Sequence, residues 1–90
     1  MKVDFTKAKV EVTFGEYKEM DIAKAVGNAI HQNTSDIGVD ETARNIYHYE
    51  GELEIPDEQI SAIIYALSNA STILVSAKKA ALNLLKLTQE

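Results

Sequence analysis

The chain has 90 residues, 46% hydrophobic and 26% charged, with a formal net charge of −5 and neither cysteine nor tryptophan. That is enough apolar material for one small domain over residues 1–90 and too much for disorder, although domains of this size often draw stability from a partner. Without cysteine there is no disulfide framework, no thiolate zinc site and no thiol nucleophile.

Val10, Val12 and Phe14 alternate with Lys9, Glu11 and Thr13, the period-two pattern of a half-buried strand. Gly15-Glu16 is a Gly-X pair suited to a two-residue turn, and Tyr17 to Met20 can return as its partner. A β-hairpin is therefore predicted over 8–20, with Val3 and Phe5 extending its first strand or packing beside it. Asp21 is a good cap for a first helix over 22–33, whose core stripe is Ile22, Val26, Ala29 and Ile30. Gly27 within that helix costs about 1 kcal/mol against alanine. Either another backbone approaches closely there or the glycine is merely tolerated.

The stretch Asn33-Thr34-Ser35-Asp36-Ile37-Gly38 is expected to supply the turn that ends the first helix, and Asp40 to cap a second over 41–50 with Ala43, Ile46 and Tyr47 facing the core. Gly51 stands where a left-handed residue is wanted after a helix. Glu52 to Ile55 is a short extended link, and Pro56, Asp57 and Glu58 suit the first turn of a third helix over 56–68. Its stripe is Ile60, Ile63, Ile64 and Leu67. After a polar interruption at 68–72, a fourth helix over 71–87 carries Ile73, Leu74, Ala77, Ala81, Leu84 and Leu85. Helices three and four are either separate or one bent rod. The predicted class is α+β and mainly helical: an N-terminal β-hairpin followed by about four α-helices.

Charge is uneven along the chain. Residues 21–69 hold Lys24 and Arg44 against nine acids, a balance of −7, which would repel a phosphate backbone and opposes nucleic-acid binding. The predicted helix-turn-helix-like pair over 40–67 opens its second helix with Pro56, Asp57 and Glu58, where a DNA-reading helix wants Arg or Lys. The first residues lack the apolar run of a signal peptide, and no window approaches the ~18 apolar residues of a membrane span. The expected location is the cytoplasm.

Residues 28–50 hold both histidines, several acids and a glycine, the ingredients of a metal or catalytic site. A calcium loop with Gly38 at its sixth position would put Ile37 at the fifth and Arg44 at the twelfth, where oxygen ligands are required. Zinc lacks an i, i+4 histidine pair and any thiolate. His31, near the end of the first helix, suits its dipole as a cation. Ser35, Asp36 and His31 form a triad only in name, since triads are defined by geometry. No P-loop, G-x-S-x-G or G-x-G-x-x-G is present, and the acids over 50–58 read as a solvated loop. No catalytic, cofactor or metal site is expected.

The fourth helix points elsewhere. Beyond its core stripe it bears Val75, Ala80, Leu82 and Leu87, more apolar circumference than the ~100° that one core requires. Tyr47 and Tyr49 flank His48 in an amphipathic patch of the kind found at interfaces. Tyr47, Tyr49, Val75, Leu82 and Leu87 are the candidate interface, for another protein or a second copy. In a homo-oligomer the helix-four lysines would face the acidic 50–58 segment of a neighbour.

The order of a strand pair, the small-residue helix "AKAVGNAI", the "ARNIY" helix, the "ELEI" link and a helix after Pro56-Asp57-Glu58 resembles certain small phage- and prophage-encoded proteins. The likeness is one of apolar layout over nearly the whole chain. It carries no catalytic residues and implies a small accessory or assembly role. The function expected is a non-enzymatic protein–protein interaction module. The alternative is an acidic decoy or inhibitor that engages a basic site on a nucleic-acid-binding or host protein.

Overall fold

The computed structural model describes residues 1–87, without the side chain of Leu87, so the expected contact at Leu87 lies outside the described residues. Elements run β1 (Lys2–Val3), β2 (Ala8–Thr13), β3 (Glu16–Met20), α1 (Ala23–Asn33), α2 (Ile37–His48), β4 (Leu53–Glu54), α3 (Ile60–Asn69) and α4 (Val75–Leu87). Short 3-10 turns at Phe5–Lys7 and Asp57–Gln59 precede β2 and α3. The fold is α+β and mainly helical.

The hairpin forms where the alternation places it, but its turn lies one residue earlier. Thr13 pairs with Glu16, so Phe14-Gly15 make the turn, with Gly15 at φ +86. Positive φ at the third turn position is the type II pattern, which glycine adopts without a Cβ penalty. Glu11 Oε2 accepts the Gly15 amide at 3.0 Å and fastens the loop. Because Glu11 pairs with Tyr17, Val12 is left over as a bulge. The expected apolar face therefore stops at Val10. Val12 and Phe14 are exposed, beyond the buried part of the strand.

Val3 does not extend β2. β1 pairs antiparallel with β4, Val3 opposite Leu53, while Phe5 sits in its 3-10 turn and is fully buried. The link over 52–55 is thus half of a two-stranded ladder joining the start of the chain to the entry of α3.

In α1 the stripe Ile22, Val26, Ala29 and Ile30 is buried throughout. Asp21 Oδ1 accepts the Ala23 amide at 3.0 Å, satisfying one of the donors that a helix start leaves free. α2 begins at Ile37, four residues before the expected boundary, because Asp36 is its cap. Asp36 Oδ1 accepts the amides of Gly38 at 2.8 Å and Val39 at 3.2 Å. Gly51 adopts the expected positive φ, +94, but α2 ends at His48 with an extended Tyr49 as its cap, so the glycine turns the loop beyond the helix and does not close it.

α3 and α4 are separate. α3 ends at Asn69, whose side-chain amide donates to the Tyr65 carbonyl at 2.8 Å, and five residues intervene before Val75. Thr72 Oγ1 donates to Gln32 Oε1 at 2.7 Å, tying this connection to the end of α1. α4 then packs against β2, α3 and α1. Its apolar circumference is wide because the hairpin and the helices both cover it. Ala80 and Ala81 are buried, and Leu82 is half-buried against the core.

Candidate functional site

A concavity lies between α1 and α2, beside a close approach of the two helices at Gly27. A Cβ on Gly27 would lie 2.8 Å from the Ala43 carbonyl oxygen, 2.9 Å from Tyr47 Cβ and 3.1 Å from the Tyr47 amide nitrogen. Only glycine permits that approach, which answers the question left by the sequence. Beside the contact opens a groove of about 220 Å³ lined by Gly27, Asn28, His31, Asp40, Ala43, Arg44, Tyr47 and His48.

Helical spacing explains this lining. Lys24, Asn28 and His31 stand at i, i+4 and i+7 on α1, and Asp40, Arg44 and His48 at i, i+4 and i+8 on α2. His31 Nδ1–H donates to Asp40 Oδ1 across the groove. This bond gives Asp40 a tertiary partner, leaving Asp36 to cap the helix. Tyr47 and His48 meet edge to face, with centroids 4.9 Å apart and planes at 75°, and Lys24 Nζ lies 5.8 Å from the Tyr47 ring centroid.

The two histidines, distant in sequence and on different helices, thus share one groove. Sequence reasoning missed this because it compared spacings within helices, and the stripe Asp40-Arg44-His48 was the signal available. Among the described residues no three His, Asp or Glu side chains converge to hold a metal ion. No serine, threonine or cysteine lines the groove to act as a hydroxyl or thiol nucleophile. What the groove brings together is Arg44, both histidines and Asn28, beside the Asp40 carboxylate that His31 engages.

The candidate interface residues are dispersed. Tyr47 is half-buried in the α1–α2 groove, Tyr49 is exposed beyond α2 near Lys2 and Glu52, and Leu82 is half-buried in the core. Val75 is 63% exposed. It lines a second groove with Glu11, Val12, Thr13, Phe14, Ser76 and Lys79, between the hairpin and the start of α4. Phe14 there is 96% exposed and the adjoining Leu74 77%. The apolar surface expected on α4 is therefore shared between its first residues and the hairpin turn.

Among the described residues no helix is long and apolar enough to cross a membrane. No family model, curated protein or solved structure matches this chain.

Proposed function

We propose that the protein is a non-enzymatic interaction module that self-associates through the groove between the hairpin turn and the start of α4. The observation that carries this reading is the group of Val12, Phe14 and Val75, three exposed apolar side chains that line one groove between the hairpin and the start of α4. Scattered exposed apolar residues are ordinary, whereas a contiguous group marks a contact surface. A second copy fits because the same groove carries both Glu11 and Lys79. In a twofold arrangement each patch meets itself reversed, so Glu11 of one copy can face Lys79 of the other. The small accessory or assembly role implied by the phage-protein resemblance agrees with such a module.

Burying a phenylalanine side chain contributes about 1.5–3 kcal/mol, and a twofold dimer counts it twice. Phe14→Ser should therefore weaken association at least about a hundredfold. Light scattering across protein concentration should show mass rising for the wild type and a monomer for Phe14→Ser, with unchanged far-UV circular dichroism. A wild-type monomer at every concentration refutes the proposal. The acidic-decoy alternative predicts instead a complex with a basic partner that weakens steeply with ionic strength.

A further inference from the structure

We propose that the α1–α2 groove is a binding site for a small phosphate-bearing anion, held by Arg44 and His48 from α2 and Asn28 from α1, with Lys24 beside it. Charge is segregated around this groove. Residues 21–69 contain two basic side chains among nine acids, and the whole chain contains two histidines. All four of these nitrogen-bearing groups gather here: Arg44, His31 and His48 line the groove, and Lys24 stands over the Tyr47 ring that lines it. Coulomb attraction within so acidic a segment favours dispersing cations among the carboxylates. The fold does the opposite.

Arg44, the chain's single arginine, is also unengaged. Asp40 and Glu41 lie one turn before it on α2, yet Arg44 forms no ion pair with any described residue. Asp40, the carboxylate that lines the groove with it, is bonded to His31. That bond also fixes the proton on His31 Nδ1 and moderates the repulsion that Asp40 would exert on an anion. The five guanidinium donors of Arg44 are left without a carboxylate partner among the described residues, and Asn28 lines the same groove from α1.

Donor placement favours phosphate over carboxylate, and the volume limits the ligand's size. A planar carboxylate is satisfied by the fork of one guanidinium, whereas donors arriving from two walls suit a tetrahedral oxyanion. The volume of about 220 Å³ is small beside the ~300–1,000 Å³ of pockets for drug-sized ligands. It has room for a phosphate and a short substituent.

The test is an NMR titration of the full chain with inorganic phosphate and with O-phosphoserine, against sodium acetate at equal ionic strength. Saturable shifts at His48, Asn28 and the Arg44 side chain are expected with both phosphates and not with acetate. Tighter binding of phosphoserine assigns the site to an esterified phosphate, and equal binding assigns it to the free ion; either supports the proposal. Arg44→Gln should weaken binding by about tenfold or more, the usual loss of a charge-assisted contact, with an unchanged circular dichroism spectrum. Asp40→Asn should tighten it by removing a negative charge, a gain that a purely structural role would not produce. Linear shifts shared with acetate, or full affinity in Arg44→Gln, overturn the proposal.

Discussion

Gly27→Ala tests the close approach of α1 to α2, and two opposing effects decide its sign. In a free helix the substitution gains about 1 kcal/mol of helix propensity. Here the new methyl would meet the Ala43 oxygen at 2.8 Å and Tyr47 Cβ at 2.9 Å. Ordinary contact for such pairs begins near ~3.4 Å, so α1 and α2 must separate by about half an ångström along their whole interface. The obstructing atoms are backbone and Cβ, which no rotamer change can move. Overpacking of this kind costs about 1–3 kcal/mol, and with two rigid neighbours we take the upper end. The net is a destabilisation of about 2 kcal/mol, which for a domain of this size lowers the melting midpoint by roughly 8–16 °C. Thermal and urea denaturation followed by far-UV circular dichroism will measure it. Ala25→Gly, on the exposed side of the same helix, calibrates propensity alone and should cost about 1 kcal/mol. A Gly27→Ala protein more stable than wild type would show that the helices are not packed on this glycine.

Asp36→Ala removes the acceptor for two amides of α2 and should cost about 1 kcal/mol, with Asp36→Asn retaining most of the stability in urea unfolding. Asp40→Ala, aimed at the cap expected from the sequence, should leave the helix boundary at Ile37, as amide exchange of the first turn will report. Leu82→Asn should lower the urea midpoint, because Leu82 packs on the core. Val75→Ser, at an exposed position, should change stability by no more than about 0.5 kcal/mol while reducing association in light scattering. Equal losses of stability in the two variants would mean that both side chains belong to the core.

Much of the helical fold was legible because its determinants are local. Apolar residues at helical spacing mark the buried stripes of α1 and α3 without knowledge of what covers them. Gly51 declares its positive φ because L residues disfavour that region. The class α+β followed from such signals. The apolar breadth of α4 was also visible, but not its cause. Periodicity counts how much surface is greasy and is silent on whether the neighbour is another chain or this chain's own hairpin.

What the sequence by itself determined is the hairpin, the four helices, their order and the buried stripes of α1 and α3, since each depends on residues within one or two turns of each other; Leu74, expected in the stripe of α4, is exposed. Tertiary structure decided whatever depended on partners far along the chain. β1 and β4 have two residues each, too few for a pattern, and exist because Val3 and Leu53 are brought together. Asp36 and Asp40 are chemically equal caps until His31 of another helix engages one of them. Val12 and Phe14 look like core until the bulge at Val12 breaks the alternation and leaves both at the surface beside the start of α4. The donor-lined groove arises the same way: two ordinary polar stripes acquire chemistry only because Gly27 lets their helices approach closely enough to face a common ligand.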